Sequence, residues 1–146
     1  MKLEININKD EENERIVIHA RERTDKLKEL INDIEKTLYE TKLYGKKDDE
    51  IYPLEIDKLI RFYSENKQIY AENSEGTFRI DKRLYELESI LPQQFIRISQ
   101  SEVINIHYIK KLRQELNGFI KVSFKNGKET YSSRRYVKII KEALQL

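Results

Sequence analysis

Leu3, Ile5 and Ile7 alternate with polar neighbours, and Ile16 and Ile18 repeat the pattern after an acidic stretch at 10–14. A period of two predicts half-buried strands over residues 2–7 and 15–20, paired as a hairpin or on one sheet. The period then changes. Thr24-Asp25 offers an N-cap and a first-turn carboxylate, and Leu27, Leu30, Ile31, Ile34 and Leu38 follow at helical spacing. This predicts an amphipathic helix that covers its own sheet and ends before Gly45.

Beyond a polar stretch at 45–50 the runs shorten. Residues 51–54 and 59–63 read as strands, and 69–71 and 77–80 flank a hairpin loop ending at Gly76. Leu84, Leu87 and Leu91 share one helical face over residues 82–91, which Pro92 terminates. A strand follows at 95–98. Ser99, Gln100 and Ser101 then form a turn, with Ser101 placed to cap a short helical turn leading to Asn105. Asn117-Gly118 and Asn126-Gly127 punctuate strand-like runs. Asn-Gly tolerates positive φ at two successive residues, so residues 108–132 predict a three-strand antiparallel meander. A last helix runs from about Arg134, with Val137, Ile140 and Leu144 as its buried stripe. Strands do not alternate regularly with helices, which argues against a doubly wound parallel sheet. The expected class is α+β, predominantly β: small antiparallel sheets with short helices, preceded by a β-β-α piece. The one boundary in view divides a front extension, 1–45, from a body, 46–146.

Composition adds limits. The 146 residues are 38% hydrophobic and 37% charged, enough for one core under a heavily solvated surface. No apolar run approaches a membrane span, and the charged start lacks a signal-peptide core, so a cytoplasmic location is expected. The absence of cysteine excludes disulfides, thiolate metal sites and a cysteine nucleophile. Charge changes the picture more. Residues 1–50 carry 11 Lys/Arg against 14 Asp/Glu, and residues 51–96 carry 6 against 8, whereas residues 97–146 carry 11 against 4. Such segregation suits a polyanion, nucleic acid or an anionic membrane; a basic surface with no such partner stays open.

Catalytic chemistry finds little support. His19 and His107 belong to no ligand-spaced pair, none of the four glycines forms a phosphate-cradling motif, and Asp48-Asp49 lies in polar loop sequence. No enzymatic activity, metal, cofactor or small-molecule substrate is expected. The basic half carries the more useful constellation. Phe95, Ile96 and Ile98 anchor a strand, and Ser99, Gln100 and Ser101 then present hydroxyls and an amide. Hydroxyls donate to phosphate oxygens, and a glutamine amide pairs bidentately with an adenine edge. Arg134 and Arg135 open the last helix, where backbone N–H groups favour phosphate although arginine opposes the dipole. Arg97 is placed to brace the turn from behind.

The succession Leu-Pro-x-x-Phe-Ile-Arg-Ile-Ser-Gln-Ser-x-x-Ile-Asn (91–105), then a β meander, then Ser-Arg-Arg-Tyr-Val-Lys (133–138), resembles the LytTR family of bacterial DNA-binding domains. The likeness spans roughly residues 49–146, and residues 60–65 resemble the family strand that leads into a first recognition loop. It implies a predominantly β domain whose loops insert into successive major grooves of direct-repeat, double-stranded DNA. It also implies contacts from the loop around Asn66-Lys67-Gln68, from Ser99, Gln100 and Ser101, and from Ser133, Arg134 and Arg135. Gln100 and Arg135 are the first candidates for base reading and Lys67 the third, while Lys138 suits phosphate or plain surface solvation alike. Gln100 departs from a position that is often basic. The front piece is too short for the receiver domain that usually precedes this one, and the chain resembles the stand-alone LytTR regulators. The expected function is thus a sequence-specific transcriptional regulator. Its partners would be DNA, a second copy at least on DNA, and a membrane or signalling protein. An antirepressor or protein-interaction module that keeps the fold without specific DNA binding stays open, as does single-strand binding by stacked tyrosines.

Overall fold

A computed structural model describes residues 1–12, 14–38 and 42–146. Helix α1 spans Asp25–Leu38, and strands β1 to β5 are Leu43–Lys47, Glu50–Leu54, Arg61–Glu65, Gln68–Asn73 and Gly76–Ile80. Helix α2, Leu84–Ile90, precedes β6, Phe95–Ser99, and β7, Glu102–Asn105. Then come β8, Ile109–Gln114, β9, Ile120–Phe124, β10, Glu129–Tyr131, and α3, Val137–Ala143. The strands form an antiparallel seven-stranded sheet, ordered β2-β1-β5-β4-β3-β7-β6, and a three-stranded sheet, ordered β10-β9-β8. The predominantly β class with short helices and the C-terminal meander are therefore as expected.

The two faces of the large sheet follow from register. Phe62 stands opposite Ala71 and Val103, and Ala71 opposite Phe78. These residues pack with Leu84, Leu87 and Leu91 of α2 in one core. The next position along each strand points the other way. There Ile96 and Ile104 pack with Ile120, Val122 and Phe124 of the small sheet and with Ile140 of α3 in a second core. Asn105, fully buried, donates its side-chain amide to the Leu59 carbonyl at 2.9 Å and accepts from the His107 N–H at 3.0 Å, tying β7 to the chain entering β3.

Four expectations are corrected. The front alternation forms no strand among the described residues: Leu3, Ile5, Ile7, Ile16 and Ile18 are exposed, Leu3 at 87%. Alternation fixes side-chain spacing, but a strand also needs an edge to pair with. Helix α1 forms where predicted, with the Leu27 N–H donating to Thr24 Oγ1 at 3.2 Å. It does not cover the sheet, since only Leu27 is buried and Leu38 remains 56% exposed. Residues 102–105 form a fully buried strand rather than a capped helical turn. Gly45 lies inside β1, not in a loop after the helix: a Cβ there would stand 2.5 Å from Phe78 Cβ and 2.9 Å from Leu54 Cδ1. A Gly45→Ala variant is accordingly expected to lose about 1–3 kcal/mol to overpacking, measured by urea denaturation.

Candidate nucleic-acid interface

Three segments proposed from the sequence meet along one edge. Strand β3 ends in a two-residue turn, Asn66-Lys67, closed by the Glu65–Gln68 pair. Both turn residues take positive φ, 51° and 63°, which matches the right-handed twist of a hairpin and leaves Lys67 exposed at the tip. The β6–β7 turn lies beside it, because β7 pairs with β3 and the Ser64 N–H donates to the Ser101 carbonyl at 2.8 Å. The third segment is pinned to the same turn from the other side: the Ser133 N–H donates to the Ile98 carbonyl at 2.9 Å.

The middle turn is held from below. Register slips between Arg97 and Ser99, the kind of irregularity that re-aims side chains. Arg97 Nε donates to the Ser99 carbonyl at 2.9 Å, its Nη2 to the Gln100 carbonyl, and its Nη1 to the Glu88 carboxylate of α2. Ser99 Oγ accepts from the Ser101 N–H at 3.2 Å and lies 3.3 Å from Ser101 Oγ. The Gln100 side chain is exposed, so its backbone is clamped while its amide is free.

Arg134 and Arg135 open a 3-10 turn, Arg134–Tyr136, and α3 begins only after it, which corrects the expected helix start. The Arg134 guanidinium lies 5.3 Å from the centre of the Phe119 ring, steered by the β8–β9 loop. Arg135 is exposed and enters no ion pair or side-chain hydrogen bond among the described residues. Lys138, on α3, is 87% exposed at its side chain, with its ammonium 4.0 Å from Glu142. The edge thus collects Lys67, Ser99, Gln100, Ser101, Arg134 and Arg135, with Lys138 on the helix that follows. Tyr63 and Tyr70, half-buried on neighbouring strands, stack on each other at 5.5 Å, which suits packing rather than base stacking.

A buried charge network lies where the small sheet meets the large one, and the sequence reading did not find it. Arg61 Nε donates to Glu72 at 2.6 Å and Arg61 Nη1 to Glu102 at 2.8 Å. Lys128 donates to Glu72, and Thr130 Oγ1 to Glu102. The carboxylates are 2% and 5% exposed. Burial pushes the Glu72 carboxyl up, but hydrogen bonds from Lys128 and Arg61 outweigh it and hold it below the ordinary carboxylate range. Burial likewise works against the Arg61 charge, and its bonds to Glu102 and Glu72 raise its pKa nonetheless. A signal was present in the sequence: Arg61 sits between Ile60 and Phe62, where a lone cation needs buried partners.

The LytTr DNA-binding domain family matches residues 49–145 of this chain. The chain belongs to the LytTR family. An uncharacterized HTH-type transcriptional regulator from Staphylococcus aureus strain NCTC 8325 is 43% identical over 146 residues, covering all of this chain and 99% of the relative. Its counterpart in strain MRSA252 is 42% identical over the same span. Among solved structures, a LytTr DNA-binding domain from Bacillus cereus superposes with a TM-score of 0.70, at 24% identity, covering 73% of this chain and 99% of that one. This last likeness speaks to the fold, and it is the β-rich LytTR fold. No helix-turn-helix occurs among the described residues, since β6 to β10 separate α2 from α3. No helix among them is long and apolar enough to cross a membrane.

Proposed function

We propose that this LytTR protein is a cytoplasmic, sequence-specific regulator of transcription. In this reading it lays the Lys67 turn, the Ser99-Gln100-Ser101 turn and the Arg134-Arg135 turn into successive major grooves of a direct-repeat operator. The observation that carries the reading is the pair of backbone hydrogen bonds, Ser64 to Ser101 and Ser133 to Ile98, that joins the three segments into one edge. Gln100 and Arg135 read bases: a side chain on a clamped backbone loses little freedom on binding, and both are unengaged by the fold. Lys67 is a third base-reading residue, Arg134 and Lys138 supply phosphate contacts, and Ser99 and Ser101 donate hydroxyls. The relatives named as transcriptional regulators align over the whole chain, front piece included, which supports the reading of a regulator.

Selection of random duplex DNA by the full chain tests this. Enrichment of a repeat spaced by whole helical turns, about 10 bp each, is expected. On the selected site, Gln100→Ala and Arg135→Ala should each lose about 1–3 kcal/mol while barely changing binding to random duplex. Log K should also fall by about 0.9 per neutralised phosphate for each decade of salt. Equal losses on both DNAs would remove base reading from these residues. A folded protein that enriches nothing would favour the interaction module.

A further inference from the structure

The network around Arg61 draws on one strand from each proposed contact segment. Arg61 lies at the start of β3, which runs into the Asn66-Lys67 turn. Glu102 directly follows Ser101, at the start of β7. Thr130 lies in β10, the strand that leads through Ser132 and Ser133 to Arg134. Glu72 joins β4, and Lys128 precedes β10. Among the described residues, the side-chain hydrogen bonds that tie the small sheet to the large one are those of Lys128 with Glu72 and Thr130 with Glu102.

We infer that this network, buried at its two carboxylates and exposed at the Lys128 side chain, is a positioning device for sequence-specific binding: Arg61, Glu72, Glu102, Lys128 and Thr130 fix the spacing of the three contact segments without touching DNA. The inference rests on the reading of those segments given above. Two physical points carry it. Buried ion pairs lose to desolvation much of what they gain by attraction, so apolar residues in the same volume would hold the sheets together at least as well. Apolar contact has no direction, however, whereas the guanidinium fork directs one hydrogen bond to each of the two carboxylates. Here the fork fixes β7 against β3, and the same carboxylate then fixes β10 through Thr130. Arg61 also lies over Tyr63 and Phe124, at 5.0 and 5.6 Å from the ring centres, so its own position is locked from both sheets.

The deciding variant is Thr130→Val, which keeps shape and leaves the Arg61–Glu72–Glu102 pairing intact; Lys128→Met is its companion. Each is measured on the selected operator and on random duplex, alone and combined with Arg135→Ala. Thr130→Val should weaken operator binding about 3- to 30-fold with random-duplex binding unchanged. Arg135→Ala should then cost less in that background than alone, because an arginine out of position has less to lose. Replacing Arg61, Glu72 and Glu102 together by methionine should leave the melting temperature at or above that of the wild type, yet bring operator binding down to the random-duplex level. Independent, multiplicative losses of Thr130→Val and Arg135→Ala overturn the inference, as does a parallel fall on both DNAs. If the triple variant does not fold, the Thr130→Val cycle still decides. If the wild-type chain selects no operator, it is the DNA-reading proposal that has failed, and the two failures are told apart by that control.

Discussion

Arg61→Ala is expected to destabilise the protein by about 3–5 kcal/mol, because it leaves Glu72 and Glu102 buried with much of their compensation gone. Both carboxylates are nearly inaccessible, and the guanidinium that pairs them is itself only 17% exposed at its side chain. Domains of this size are stable by about 5–15 kcal/mol, so the variant should sit close to unfolding at room temperature. Urea denaturation followed by circular dichroism measures the loss; a change below about 1 kcal/mol would place the network in a far wetter setting than its burial indicates. The acid limb should move too. Glu72 is held below its ordinary pKa, so its contribution is present at neutral pH and is lost as pH falls through its folded value. Without Arg61 that value rises, and acid unfolding should begin at higher pH.

The second large effect is expected at Phe124, which is fully buried in the core shared by the two sheets and lies beneath Arg61. Phe124→Ala should cost about 3–5 kcal/mol from lost transfer energy and the cavity left behind. Its control lies in α1. Leu38→Ala removes a side chain that is more than half exposed, and should fall within about 0.5 kcal/mol of wild type. A loss at Leu38 comparable to that at Phe124 would mean that the stripe of α1 is covered in solution. Calorimetry on the three proteins separates these outcomes.

Local signals were legible where one stretch of chain decides the outcome. Leu84, Leu87 and Leu91 with Pro92 marked α2, and Val137, Ile140 and Leu144 marked the buried side of α3. The Asn-Gly pairs marked the meander, though by another geometry than expected. Only Gly118 and Gly127 take positive φ, while the Asn117 and Asn126 side chains accept from the N–H two residues on. The turns with two successive positive φ values are Asp48-Asp49 and Asn66-Lys67, which contain no glycine. What stayed hidden depends on distant partners. Gly45 is small because Phe78 and Leu54 crowd it, and Glu102–Asn105 is a strand because β3 and β6 flank it. At the proposed interface, the bracing role of Arg97 was readable. That the three segments share one edge was not, because backbone bonds between Ser64 and Ser101, and between Ser133 and Ile98, leave no trace in local pattern.

The Arg61 network also divides the protein into a part that must change together and a part that can change alone. Arg61, Glu72, Glu102, Lys128 and Thr130 are scattered over half the chain, and altering one strands another, so substitutions among them are expected to arrive in sets. The side chains of Lys67, Gln100 and Arg135 bond to none of them. On the proposal that those three residues read bases, a descendant lineage can exchange them one at a time and acquire a new operator while inheriting the old frame.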